Sequence, residues 1–274
     1  MSAGNVLIFG KSGMLGYAVT KYFTGAGYSV TGVSRAEFDI AKSTAADLER
    51  ILDGRDLVIN CAGVIKPRIA QLSIEEVLKV NAIFPRNLAR RCDRMGIRCF
   101  HVTTDCVYSG KKGRYTELDP FDAEDVYGLS KNAGEPSECM VLRTSIIGEE
   151  EGQGRSLLAW AMSQKGKQVN GFTNHVWNGV TTVRLAKAID TIVRQHRYSR
   201  GTFHLHSPGA VTKDVLLRLM SDAYNLGLSV NPAAAAEACD RSIASVHSLS
   251  ADIITDELSV QLADMRSFFE GTSK

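Results

Sequence analysis

The feature that most constrains this chain is a repeated change of period, in which short apolar runs of strand length give way to stretches of helical spacing and back. Val6-Leu7-Ile8-Phe9 is followed by a helical stretch from Met14 to Phe23, and Tyr28 to Val33 by one from Ala45 to Leu52. Leu57-Val58-Ile59-Asn60 supplies a third strand. Ser73-Ile74-Glu75-Glu76 then forms a capping-box pattern at the head of a long helical stretch that reaches Met95, with a kink expected at Pro85 and a stop at Gly96. Cys99 to Thr103 is a fourth strand, a helix begins near Tyr127, and Met140 to Arg143 is a fifth strand. Strands joined by helices in this rhythm make a parallel sheet with helices on both faces. The fold class is therefore α/β, a doubly wound parallel sheet of the Rossmann kind.

Past Ser145 the rhythm loosens. Gly148 to Gly154 reads as a flexible loop, followed by a helix over Ser156 to Ser163, a strand over Gln168 to Phe172, a helix over Val183 to Val193, a strand over Thr202 to Leu205 and two C-terminal helices. The expected division is a sheet domain over residues 1–148, to which segments near 168–206 return, and a smaller C-terminal α/β lobe over 149–274.

Composition narrows the partners. A chain that is 44% hydrophobic and 23% charged is neither disordered nor fibrous. Lys and Arg number 32 against 30 Asp and Glu, with no basic cluster, so nucleic acid is not an expected partner. No apolar run approaches the ~20 residues that span a bilayer, and Met1-Ser2-Ala3-Gly4 enters a strand without a targeting pattern, so no membrane partner and a cytoplasmic location are expected. The six cysteines are scattered and read as reduced thiols. His204 and His206 share one face of a short strand but have no Cys or carboxylate at ligand spacing, so no metal is expected.

The first strand runs into Gly10-Lys11-Ser12-Gly13-Met14-Leu15-Gly16 and then a helix. In that context glycines bring backbone amides and a helix N-terminus up to a pyrophosphate. The second strand ends Gly32-Val33-Ser34-Arg35, with no carboxylate to take a ribose 2′-hydroxyl. Arg35 could pair with a 2′-phosphate and Lys11 could add a second charge, which favours NADPH and leaves NADH possible. Tyr127 and Lys131 are four apart, on one face of a helix, where an ammonium can bring a phenol toward proton transfer at neutral pH. Thr104, at the end of the fourth strand, could orient a substrate carbonyl beside Tyr127.

Gly10-x-x-Gly13-x-x-Gly16, Asn60-Cys61-Ala62-Gly63, Thr103-Thr104-Asp105-Cys106-Val107-Tyr108 and Tyr127-x-x-x-Lys131 together resemble the extended short-chain dehydrogenase/reductase superfamily. Thr103-Thr104-Asp105, Arg143-Thr144-Ser145 and Leu185-Ala186 are most similar to its dTDP-4-dehydrorhamnose reductase branch. The resemblance implies a sheet domain that binds NAD(P), a smaller lobe that closes over a nucleotide-sugar, and reduction of a nucleotide-linked 4-keto-6-deoxy sugar between them. It implies Thr104, Tyr127 and Lys131 as the triad with Tyr127 donating the proton. Gly10, Lys11, Gly13, Met14, Leu15 and Gly16 would line the phosphates, Asp39 and Ile40 the adenine, and Cys61, Ala62 and Gly63 the inner edge of the cofactor. Asp105, Cys106, Ile146 and Trp177 fall on the substrate side, Ile146 standing where the branch has a tryptophan. A homodimer is possible.

Two alternatives stay open. GDP-L-fucose synthase, of the same superfamily, carries a cysteine at the position of Cys106 and epimerises before reducing, although the histidine it also uses has no counterpart between Ser145 and Gly154; only His175 is a candidate. The regulatory β subunit of methionine adenosyltransferase also resembles this branch and would bind NADP without catalysis.

Overall fold

The computed structural model describes residues 3–152, 154 and 156–271. Met1 and Ser2 of the N-terminal reading and Gln153 of the Gly148–Gly154 stretch lie outside the described residues. The first half of the chain follows the expected alternation: β1 (Ala3–Phe9), α1 (Met14–Gly25), β2 (Tyr28–Val33), α2 (Ala45–Leu52), β3 (Leu57–Asn60), the short α3 (Lys66–Ile69), α4 (Ile74–Leu78), α5 (Phe84–Arg94), β4 (Arg98–Thr104), α6 (Val126–Ala133) and β5 (Met140–Thr144). Beyond it come β6 (Ile146–Ile147), α7 (Leu157–Ser163), β7 (Gln168–Phe172), β8 (His175–Trp177), β9 (Val180–Thr181), α8 (Thr182–Arg194) and β10 (Gly201–His204). The chain closes with β11 (Val211–Thr212), α9 (Lys213–Tyr224), β12 (Ser229–Ala233), β13 (Cys239–Asp240), α10 (Leu249–Ile253) and α11 (Leu258–Glu270).

Six strands form one parallel sheet in the order β10-β5-β4-β3-β1-β2. Alternate residues of its central strands serve opposite faces, as the period of a strand requires. Val6 and Ile8 pack with Val19 and Phe23 of α1 and Ile189 and Ile192 of α8, while Leu7 and Phe9 pack with Leu48 of α2 and Leu88 of α5. From β1 the chain goes to β2 on one side and returns to β3 on the other. A crevice therefore opens beyond the ends of β1 and β3, at Gly10 and Cys61.

Three expectations are corrected. The long helix from Ser73 to Met95 is interrupted before Pro85 and not at it; its α4 and α5 segments are joined by a π-helical turn, Lys79–Ile83, and Pro85 lies in the first turn of α5. Pro85 has no N–H to offer the Asn81 carbonyl, and the Phe84 N–H bonds Lys79 five residues back. Among the described residues three helices, not two, follow β11; α10 is a five-residue turn too short to show a period. Finally, Gln168–Phe172 pairs with β12 in a separate two-stranded sheet, whereas α8 and β10 join the main one. These small sheets unite segments of two to five residues that are distant in sequence, which leaves no local periodic signal. Among the described residues no helix is long and apolar enough to cross a membrane.

Arg143 on β5 is 2% exposed and is held by a ring of partners. Its Nη2 and Nε donate to the Glu135 carboxylate at 2.5 and 3.1 Å, and its Nη1 donates to the Tyr108 hydroxyl and to His204 Nε2, both at 2.7 Å. His204 in turn gives its Nδ1–H to the Ala244 carbonyl at 2.7 Å. One charge thus joins the end of α6, the turn after β4, β10 and the C-terminal segment. Removing the anionic partner leaves a buried cation uncompensated, which costs about 3–5 kcal/mol. Glu135→Gln should lower the unfolding free energy measured by urea titration by that amount, whereas a value equal to wild type would mean that Tyr108 and His204 suffice.

Candidate active site

The cofactor side of the crevice is built from close backbone approach. Gly10 has φ +80°, a left-handed conformation that a side chain would strain, and a Cβ there would sit 2.9 Å from the Ala62 backbone. A Cβ on Gly16 would overlap the Gly10 carbonyl oxygen. The turn is pinned by Gly10 N and Lys11 N donating to Val33 O at 2.9 and 3.1 Å, and Gly13 N to Gly10 O at 3.0 Å. Gly13 is the N-cap of α1 and supplies no side-chain cap, so the first N–H groups of the helix stay available to an anion. Leu15 is buried in the core and Met14 is half-buried, so both offer backbone rather than side chain to a ligand. This cradle, closed by any Cβ at Gly10 or Gly16, fits a dinucleotide pyrophosphate.

The cleft continues from the turn as a cavity of about 310 Å³ whose lining includes Gly10, Gly13, Arg35, Asp39, Ile40 and the strand-end trio Cys61, Ala62 and Gly63. Arg68, Gln71 and Glu76, which the sequence reading did not single out, form its outer wall from α3, α4 and the turn between them. Arg35 is exposed and its Nε lies 3.6 Å from Asp39 Oδ2. Contrary to the reading of the second strand end, a carboxylate does stand there. Glu37 folds back, accepting from Ser34 N at 2.7 Å, from Ser34 Oγ at 2.9 Å and from the Lys11 ammonium. The signal was present as Ser34-x-x-Glu37, the same pattern that marks the cap at Ser73.

Beyond the end of β4, the strand next to β3, Thr104, Asp105, Cys106 and Tyr127 meet outside the lining of that cavity. Thr104 Oγ1 donates to Asp105 Oδ1 at 3.1 Å and accepts from Cys106 N at 3.1 Å, with the Tyr127 phenol beside it. Gly128 makes this possible: a Cβ there would strike the Cys106 carbonyl and hold α6 away from the turn. Asp125 caps α6 through Gly128 N at 2.8 Å and pairs with Lys66, whose ammonium stands 5.8 Å over the Tyr127 ring. Lys131 is buried and donates to the Val102 carbonyl at 3.3 Å. A Cβ on Gly63 would lie 3.7 Å from its Nζ, so the lysine reaches the floor of the cofactor cleft.

Protonation follows from burial. Lys131 falls from 10.5 to about 8, chiefly because burial penalises its charge. The Tyr127 phenol rises above its ordinary value through burial first, and through Cys106, Asp105 and Asp125. The Lys131 ammonium donates to the Val102 carbonyl rather than to the phenol. The phenol therefore keeps its proton at neutral pH. Burial and the neighbouring Asp105 push the Cys106 thiol up to about 12. Asp105 is itself raised by burial, with Arg241 and Lys213 acting against the rise.

Asn81 was not legible as a site residue. It sits in the π-helical turn, its Oδ1 accepting from Val64 N at 2.7 Å and its Nδ2 donating to Val64 O at 3.0 Å and Ser130 Oγ at 3.1 Å. It ties the loop after β3 to the helix that carries Tyr127 and Lys131. Trp177 is 6% exposed and packs with Leu158, Leu217 and Met265, its Nε1 donating to Ser145 Oγ at 2.8 Å. Ile146 packs against the sheet core and pairs with Val180. Neither is brought to the Thr104–Tyr127 cluster; Lys213, which stands 5.2 Å over the Trp177 ring, is closer to it through Asp105. His204 bonds Arg143 and Ala244, and among the described residues no group of three His, Cys, Asp or Glu could hold a metal.

The family described as RmlD substrate binding domain matches residues 4–261. A dTDP-4-dehydrorhamnose reductase of Mycobacterium tuberculosis is 34% identical over 153 residues, covering 52% of this chain and 50% of that protein. The chain thus spans about half the length of that relative. A probable low-salt glycan biosynthesis reductase of Haloferax volcanii is 30% identical over 228 residues, 75% of each chain. Among solved structures, a dTDP-4-dehydrorhamnose reductase of Bacillus anthracis in complex with NADP has a TM-score of 0.80 at 20% identity, covering 98% of this chain and all of that one (100%). At that identity the likeness is one of fold.

Burial of Lys131 makes a signed prediction. Its pKa is about 8 folded and 10.5 unfolded, so between these values the unfolded chain binds more protons and stability gains from rising pH. Subtracting the stability of Lys131→Met from that of wild type at each pH should leave a difference that climbs from pH 8 to 10. A flat difference would mean that the lysine is solvated.

Proposed function

Because the chain belongs to the RmlD substrate-binding-domain family, the dTDP-4-dehydrorhamnose reductase branch of the extended short-chain dehydrogenase/reductases, we propose that it reduces a nucleotide-linked 4-keto-6-deoxy sugar to the alcohol. The observation that carries this reading is the meeting of Thr104 with a Tyr127 phenol that burial keeps protonated, beside the cleft that the glycine cradle opens. NADPH, with NADH as a second donor, supplies hydride when bound in that cleft. Gly10, Gly13 and the N-terminus of α1 would hold its pyrophosphate, Arg35, Asp39 and Ile40 its adenosine end, and Cys61 to Gly63 its inner edge.

Thr104 accepts the Cys106 amide and, on turning its single proton from Asp105 to the substrate, can share the substrate carbonyl with Tyr127. Tyr127 gives its phenolic proton to the carbonyl oxygen as that oxygen becomes an alkoxide. Lys131, at the meeting of cleft and triad, supplies positive charge near the phenolate that remains. The sheet domain thus serves the dinucleotide, and the elements after residue 149 that lie outside the main sheet close over the sugar. Reduction proceeds without prior epimerisation, since a Cys106 thiol near 12 cannot take a proton from carbon at neutral pH and His175 Nε2 is engaged 3.0 Å from the Glu237 carbonyl.

NADPH consumption should appear with dTDP-4-dehydrorhamnose in a panel of nucleotide-linked 4-keto-6-deoxy sugars. Tyr127→Phe should retain NADPH binding while turnover drops by a factor on the order of 10² or more. Turnover close to wild type in that variant would remove Tyr127 from the chemistry, and no oxidation with any sugar would favour an NADP-binding regulatory subunit. In heavy water the product should carry no enzyme-dependent deuterium beside the new alcohol; deuterium there, lost in Cys106→Ala, would favour an epimerase-reductase.

A further inference from the structure

The turn that follows β2 carries a carboxylate that the cofactor reading does not use. Glu37 accepts from Ser34 N, Ser34 Oγ and Lys11 Nζ, and so engages two of the three side chains that the second strand and the glycine turn could offer a phosphate on the ribose. The arrangement is built in. A Cβ on Gly32 would lie 3.0 Å from Lys11 Cβ and 3.1 Å from its Cδ, so the glycine in β2 clears a track along which the lysine stem crosses the strand to reach Glu37. The remaining donor, Arg35, is exposed and turned toward Asp39 at 3.6 Å. Ser34 and Arg35 both line the cleft, while Lys11, drawn across the strand to Glu37, is not part of its lining.

We propose that Glu37 sets the balance between the two dinucleotides. Its carboxylate takes the place of the 2′-phosphate of NADPH at Lys11 and Ser34, so that the phosphate must displace it or settle for Arg35. NADH carries no 2′-phosphate and meets no such competition. The preference of the wild-type protein for NADPH is thereby muted, and the residue that mutes it lies outside both the glycine turn and the triad. The hydrogen bonds from Lys11 and Ser34 hold the Glu37 carboxyl down at about 2, so it is an anion throughout the neutral range.

This inference rests on the dinucleotide reading of the cleft, and direct binding separates the two. NADPH and NADH are titrated into wild type, Glu37→Gln and the double variant Lys11→Met/Glu37→Gln, following nicotinamide fluorescence. Freeing a lysine and a hydroxyl for a phosphate should raise the NADPH-to-NADH affinity ratio of Glu37→Gln by about tenfold, the scale of one charge-assisted hydrogen bond. The double variant should return toward the wild-type ratio, and the gain should shrink at high salt because the pair is half-exposed. NADH binding in each variant reports that the cleft is intact. An unchanged ratio in Glu37→Gln, or a gain that persists without Lys11, would overturn the inference while leaving the cofactor reading in place. Failure of wild type to bind either dinucleotide would overturn the cofactor reading, and this inference with it.

Discussion

A guanidinium with almost no access to water must find all its partners inside the protein, and Arg143 finds them on three separate pieces of chain, with a fourth held through one of them. Glu135 comes from just past α6, Tyr108 from the turn after β4, and His204 from β10, with Ala244 behind His204. Glu117 joins the same region by accepting from His204 N at 2.7 Å and Ser245 Oγ at 2.5 Å. The helix that carries Tyr127 and Lys131 is therefore docked at its far end by the same charge that seats the sixth strand and the C-terminal segment. Such a network tolerates little displacement, because each member would leave a buried polar group unpaired.

The near end of that helix is located by packing rather than charge. Gly128 admits the Cys106 carbonyl, and Asp125 caps the first turn, so Tyr127 comes to rest against Thr104. Between the two ends, Asn81 bridges Val64 and Ser130 from a π-helical turn that a proline without an N–H makes possible. The chemistry follows from these positions. Burial leaves the phenol holding its proton and leaves the lysine close to giving its own up, which suits an acid poised beside a group that can follow its charge.

Much of this was legible in the sequence, because it depends on local pattern. A period of two bracketed by turns is a strand wherever it occurs, and five strands, α1, α2 and the capping box at Ser73 stand where the pattern puts them. The glycine turn was legible because φ > 0 and close backbone contact admit few other residues. Tyr127 and Lys131 were legible as one helical face, but not the direction in which Lys131 points. That depends on the Val102 carbonyl, contributed by β4.

What the sequence by itself determined is the alternation, the parallel sheet and the residue types offered at its strand ends, since each is encoded within a few neighbours. The tertiary structure alone decided which of those residues face one another. Glu37 reaches Lys11 only because β2 lies beside β1 and Gly32 leaves room, and Trp177 packs inward because α7, α9 and α11 converge on it. Protonation states belong to the same class: a lysine near 8 or a thiol near 12 reflects the water that the assembled protein excludes, a quantity that no short stretch of chain contains.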